Sequence, residues 1–231
     1  KGVAKDNGLN LFLQLNQPVT FSDKFKHPLG RVMLNEKMVN MLRPLFLAQE
    51  GILQCEPYDR QHIDIDLDLV RSAPLPVTKI CLPRWYFLVF GETYDLSSPW
   101  IVAEPEPGVS DCIVIARSSR YQGHKIDYSF LRKYPRIQFL GVEDEFKEMK
   151  GFIPNMEYRP VKDFLEMACI IAGCKLFIGN QSFPFAIAEG LKSRRLLEVS
   201  GICPDVSVNG DNGQQFLFQD NFERLVKEMY E

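Results

Sequence analysis

The sequence predicts an α/β protein built on parallel sheets, and three observations carry that expectation. In the second half, short apolar segments alternate with segments of helical period, the pattern of βαβ units. Cys112–Ala116 is a continuous apolar run, as expected of a parallel strand buried on both faces. Lys175–Leu191 passes from an apolar strand through a polar turn directly into a helix.

The elements follow in order. Leu9–Leu15 alternates with period two and reads as a strand; Asn16–Pro28 reads as a loop. Asn35–Ala48 is a helix, with Met38, Met41, Leu42 and Leu45 at helical spacing and Asn35 able to cap its start. Pro44 inside that pattern predicts a kink or an early stop. Ile52–Cys55 reads as a short strand. His62–Val70 alternates Ile63, Ile65, Leu67 and Leu69 with Asp64, Asp66 and Asp68, a strand with three carboxylates on one face. The aromatic-rich Arg84–Phe90 reads as helical. Ser97–Gly108, with Pro99, Pro105 and Pro107, reads as an interdomain linker. After it come strand Cys112–Ala116, a short helix Tyr128–Lys133, strand Arg136–Leu140, helix Glu143–Lys150 and strand Met156–Tyr158. Helix Lys162–Ala172 places Phe164, Leu165, Ala168 and Ile171 on one side. Strand Cys174–Ile178, helix Pro184–Leu191, strand Arg195–Val199 and helix Asn221–Tyr230 complete the pattern.

Composition narrows the function. The 231 residues carry a formal charge of −3, which gives no basic footprint for nucleic acid. No apolar run reaches the roughly 18–20 residues that span a bilayer. The first residues carry no signal-peptide pattern, so a cytoplasmic protein without an integral membrane segment is expected. The six cysteines are dispersed and form no CxxC pair, so reduced, mostly buried thiols are expected, with no zinc site.

Two segments carry chemistry. In Gly179-Asn180-Gln181-Ser182-Phe183-Pro184 a strand ends and a helix begins, with Pro184 in the first turn, where proline is favoured. Such a turn aims helix N–H groups at the carboxyl edge of a parallel sheet, where α/β folds bind phosphate. Ser182 can cap that helix and donate to a phosphate oxygen; the plain alternative is a cap alone. The second segment, Arg117-Ser118-Ser119-Arg120, lies just past a strand end. Its guanidinium groups and hydroxyls suit a diphosphate. The plain alternative is a solvated basic loop.

The first segment, with its Ala-rich helix, resembles the Gly-Asn/Asp-Ser/Thr-Gly-Pro-x-His motif of the ADP-heptose:lipopolysaccharide heptosyltransferases (glycosyltransferase family 9). The resemblance covers roughly residues 111–200. It implies the GT-B architecture, two Rossmann-like domains with parallel sheets facing a cleft, and a metal-independent glycosyltransferase of hexosyl or heptosyl type. It implies a nucleoside-diphosphate sugar as donor, a glycan, lipopolysaccharide-like or other hydroxyl acceptor, and no further cofactor. In that family the loop matching Asn180, Gln181 and Ser182 holds the donor pyrophosphate. The loop matching Arg117–Arg120 touches the phosphates, and a Glu at the position of Glu143 meets the ribose. Glu189, a carboxylate on an otherwise apolar helix, is a further candidate for a ribose or sugar hydroxyl. Two departures stand out: Phe183 replaces the family's small Gly, and Phe185 stands at its His.

Transfer to a hydroxyl needs a proton acceptor. Asp23 and His27 are the candidates in the first half. The family's base is an Asp in a Gly-rich loop after its first strand, and neither Gly2 nor Gly8 has that context; residues upstream of Lys1 are the other place for it. The expected division is an acceptor-side domain over residues 1–104 and a nucleotide-sugar domain over 105–231. Two other readings use the same architecture: a sugar-nucleotide epimerase or hydrolase, and a non-catalytic nucleotide-sugar- or glycan-binding protein.

Overall fold

The computed structural model describes residues 8–18, 32–76, 79–201 and 206–231. Its main sheet has six strands, all parallel: β3 (Ile113–Ala116), β4 (Ile137–Phe139), β5 (Glu157–Tyr158), β6 (Leu176–Asn180), β7 (Arg195–Glu198) and β8 (Gly213–Phe216). Their spatial order is β5-β4-β3-β6-β7-β8. Counted along this half of the chain, that is 3-2-1-4-5-6, the doubly wound order of dinucleotide-binding folds. The class is α/β with open parallel sheets, as the periodicity implied.

Alternate residues of each strand face opposite layers. Val114, Ala116 and Phe177 meet α5 (Phe164–Gly173) and α6 (Phe183–Leu191). Ile113, Ile115, Leu176 and Ile178 meet α4 (Glu143–Phe152), α7 (Gln219–Tyr230) and the 3₁₀ turn Ser129–Lys133. Helices therefore cover both faces, and the central strands are wholly buried. Burying a Val, Ile or Phe side chain is worth about 1.5–3 kcal/mol, so β3 and β6 anchor the fold.

The first half contributes a two-stranded parallel sheet among the described residues, β1 (Leu9–Leu13) and β2 (Ile52–Pro57), joined by α1 (Glu36–Leu47). Asn35 caps α1, its side chain accepting from Met38 N–H at 3.0 Å. Leu42 and Leu45 of α1 enter the same core as α5 and α6. The helix runs through Pro44 without stopping. The N–H that proline lacks leaves the carbonyl of Asn40 unused, and Asn40 is exposed, where solvent can serve it.

One expectation fails, and one strand was not expected. His62–Val70 is not a strand: residues 62–67 are irregular and a short helix α2 (Leu69–Ser72) follows. Asp66 accepts from the N–H of Asp68, a turn contact, and Ile63, Ile65, Leu67 and Leu69 are exposed. Alternation without a neighbouring strand has no ladder to join. Strand β8 escapes the sequence because Gly213, Gln214 and Gln215 look like a loop; only its last residue, Phe216, is buried. Arg84–Phe90 is helical, as α3 (Leu82–Phe90).

The linker crosses the outer helices closely. Gly190 O accepts from both Trp100 N and Ile101 N, and Cys169 O accepts from Glu106 N. Glu106 passes so near the end of α5 that a Cβ on Gly173 would lie 2.2 Å from its carbonyl oxygen.

Candidate functional site

The sheet reverses its winding between β3 and β6, and ligands of open α/β sheets bind in the crevice that this leaves at the carboxyl ends of the strands. Ala116 pairs with Gly179, so the segments Arg117–Arg120 and Asn180–Ser182 leave the sheet side by side. Asn180 fastens them: its Oδ1 accepts from Ser118 N at 3.0 Å and its Nδ2 donates to Ser118 O at 2.6 Å. Two motifs separated by 60 residues of sequence thus form one rim.

A cavity of about 880 Å³ opens on that rim. One wall carries Arg117, Ser118, Arg120, Gly141, Glu143 and Glu145; Ser182, Phe183 and Pro184 extend it. α1 also lines the cavity, through Glu36, Lys37, Met38, Asn40 and Met41. Met38, Met41, Val161, Phe164, Met167 and Phe183 make one end apolar. Phe183 is 41% exposed and meets Phe164 edge-on, ring centroids 4.7 Å apart.

Several expected ligands have other employment. Arg117 is buried, and its Nε and Nη2 donate to Glu198 at 2.7 and 2.8 Å. Its guanidinium also lies 4.6 Å over the Tyr128 ring. The expectation that Arg117 grips the diphosphate is corrected accordingly: two of its donor atoms are committed inside the protein, and it supports the rim from beneath. Asn180 is likewise fully buried and spent on the rim. Gln181 Oε1 accepts from Ser200 N and its Nε2 donates to Val206 O, so it ties the turn to the chain beyond β7 and does not line the cavity.

Glu189 is not an exposed charge, and it does not line the cavity. It is buried, it accepts from Arg195 Nε at 2.5 Å and from Asn209 N, and it pairs with Lys192. The i,i+3 spacing to Lys192 and the start of β7 hold it on the far side of α6 from the rim. Ser182 is the N-cap residue of α6 by position but makes no side-chain cap; its Oγ donates to Asn180 O at 3.2 Å. Among the described residues the first N–H groups of α6 therefore have no side-chain acceptor, and they carry their share of the helix dipole.

Of the remaining candidates, Ser118, Arg120 and Glu143 line the cavity. Arg120 contacts Ser118 Oγ through Nε at 3.3 Å, with its guanidinium 5.4 Å from the Tyr121 ring. Ser119 is exposed. Glu143 is exposed at the first turn of α4 and pairs with Lys147 at 2.9 Å. Gly141 holds a positive φ of 151°, and a Cβ there would meet the Phe139 ring at 2.9 Å, so glycine is needed where β4 delivers Glu143 and Glu145 to the site. Asp23 and His27 lie outside the described residues.

Two acids went unseen in the sequence. Glu198, at the end of β7, is fully buried and also accepts from Gly123 N at 2.6 Å and Tyr128 OH at 2.8 Å. Burial, then the charge of Glu198, pushes the Tyr128 hydroxyl well above the phenol range. Glu145, half-buried in α4, accepts from Ser119 N. The one available signal for Glu198 was a charged residue closing an apolar strand run. Among the described residues no cluster of three or more His, Cys, Asp or Glu could hold a metal ion. The five described cysteines are free thiols, Cys55 and Cys112 buried. No helix among the described residues is long and apolar enough to cross a membrane.

No protein-family model matches this chain, and no curated protein matches its sequence. Solved structures do. The chain is similar in fold to a heptosyltransferase. E. coli heptosyltransferase WaaC with ADP-2-deoxy-2-fluoro heptose aligns with a TM-score of 0.45 and 13% identity, over 74% of this chain and 59% of that one. E. coli heptosyltransferase WaaC with ADP gives 0.44 and 13%, over 75% and 60%. The chain thus spans less than two thirds of the length of these structures.

Proposed function

We propose that the switch-point cavity binds a nucleoside-diphosphate sugar and that the protein transfers the sugar to a hydroxyl acceptor, with the division between acceptor-side and donor-side domains near residues 104 and 105. The observation that carries this is the rim itself, where the two phosphate-type segments are bonded together by Asn180 at the crevice of a doubly wound sheet. The sequence resemblance of residues 111–200 to the heptosyltransferases supports the same reading.

In this reading the diphosphate lies over the N-terminus of α6 and the loop after β3. The uncapped N–H groups of α6, Ser182 Oγ and Arg120 meet its oxygens, and Glu143 meets the ribose. Lys37 brings a further positive charge from α1. Acceptor attack forms a new C–O bond at the anomeric carbon and breaks the bond from that carbon to the diphosphate. The acceptor proton passes to a base, and the nucleoside diphosphate leaves with the bonding pair. Charge grows on the leaving diphosphate, so fixed donors at the rim act where they are worth most. Arg117 contributes by holding the loop against Glu198.

A second reading, nucleotide-sugar binding without transfer, is favoured by Phe185: it is buried against Phe177 and puts no titratable group where the resembling motif has His. Thermal unfolding with ADP, UDP, GDP and CDP tests the shared donor site. A ligand at 100 times its dissociation constant adds about 2.7 kcal/mol. A rise in melting temperature with at least one diphosphate, and little with its nucleoside, is expected; no shift with any of them removes the proposal. Turnover of a stabilising sugar nucleotide in the presence of hydroxyl acceptors then separates transfer from binding.

A further inference from the structure

The loop after β3 presents three groups suited to an anion: the Ser119 N–H, the Ser118 hydroxyl and the Arg120 guanidinium. The start of α4 adds the Val142 N–H. All four converge on one side chain of the protein itself, the carboxylate of Glu145. Ser119 N donates to its Oε1 at 3.3 Å. The Ser118 hydroxyl, the Val142 N–H and Arg120 each favour its charged form. Gly141 leaves room on the other side: a Cβ there would come within 3.3 Å of Glu145 Oε2. Glu145 lines the cavity, so its carboxylate stands beside the place proposed for the diphosphate.

We infer that Glu145 is a built-in competitor for the anion-binding loop, holding the donors that a diphosphate needs until the ligand displaces it. This rests on the donor-site reading above. The balance of charge gives the inference its force. Arg117 is neutralised by Glu198, which leaves Arg120 as the cation of this loop that a diphosphate can reach. A carboxylate and a diphosphate are both anions with several acceptor oxygens, and like charges at one site exclude each other. The cavity that Glu145 lines also carries Arg117 and Arg120 from the loop, Glu143 on its own helix, Tyr158 from β5, Lys162 before α5, and Glu36 and Lys37 of α1. Burial raises the proton affinity of Glu145, and its hydrogen bonds work against that rise.

Calorimetric titration of the whole chain with inorganic diphosphate and with ADP at pH 8 tests this. Glu145→Gln keeps the size and the bond from Val142 but removes the charge. It should bind both probes at least about tenfold more tightly than wild type, a difference of about 1.4 kcal/mol. The gap should narrow as the pH is lowered and the carboxylate of the wild type takes up a proton. A folded Glu145→Gln that binds no tighter than a binding-competent wild type overturns the inference and leaves the donor site standing. Binding by the variant alone supports both, with Glu145 as a block. Binding by neither protein overturns both. Should the variant fail to fold, wild-type protein decides by NMR: saturating ADP must shift the Glu145 carboxyl and Ser119 amide signals together. A bound state with the Glu145 signal unmoved overturns the inference.

Discussion

Single residues divide into those that touch a ligand and those that hold the rim, and burial decides which. Arg117 and Glu198 are the clearest pair of the second kind. Breaking one partner of a buried ion pair leaves an uncompensated charge and costs about 3–5 kcal/mol. Arg117→Ala should therefore lower the melting temperature markedly before any effect on binding is read. Chemical denaturation of the variant checks it; wild-type stability would mean that Glu198 finds another partner. Ser182 behaves differently. Among the described residues its Oγ bonds only Asn180 O, so Ser182→Ala should cost little stability, about 0.5–1.5 kcal/mol. Ser182→Asp adds an anion at a helix N-terminus, which favours the helix. The same anion opposes a diphosphate. Melting temperature should rank Asp above Ala, and diphosphate affinity should rank Ala above Asp. An Asp variant that binds as tightly as wild type would remove the diphosphate from this helix start. At this scale the sequence was half legible. Residue types and spacing located both segments of the rim, because strand-turn-helix patterns are local. They could not say that Arg117 is spent, since its partner lies 81 positions away.

Elements were legible where burial was two-sided. β3 and β6 announce themselves as apolar runs, and α5 by its period. β8 is an edge strand with exposed glutamines, and nothing local separates it from a loop. The Asp/Ile alternation of residues 62–70 has the period of a strand without a partner to make it one. Pro44 was expected to kink or stop α1; the helix does not stop, because Leu42 and Leu45 on either side of it are locked into the core, and that packing outweighs one lost hydrogen bond. The junction of α5 with the linker offers a direct test. Gly173→Ala would put a methyl 2.2 Å from a backbone oxygen of Glu106. Backbone cannot swing away as a flexible side chain can, so overpacking of about 1–3 kcal/mol is expected. Gly151→Ala, in α4, meets nothing within 4 Å and should be neutral or slightly stabilising. Equal melting temperatures for the two variants would mean that the linker does not lie against α5.

For the whole molecule, the first half shares a core with the second through α1, so denaturation should be one event. Trp100 sits on the linker with Lys192 4.4 Å from its ring, while far-UV circular dichroism reports mainly the helices and the large sheet. Urea transitions followed by tryptophan fluorescence and by circular dichroism should coincide. An early fluorescence transition would mean that the stretch carrying Trp85 of α3 and Trp100 of the linker unfolds by itself.

The wall that α1 lends to the cavity has a kinetic meaning. Leu42 and Leu45 root that wall in the packed layer that also carries α5 and α6, and Gln49, just beyond the helix, bonds both the N–H and the carbonyl of Val102 in the linker. α1 is therefore a fixed side of the proposed donor site, and a ligand need not wait for this helix to move. Entry is then a second-order encounter steered by Lys37 and Arg120. Observed association rates should climb in proportion to ligand concentration without levelling off, and salt should slow them by screening those two charges.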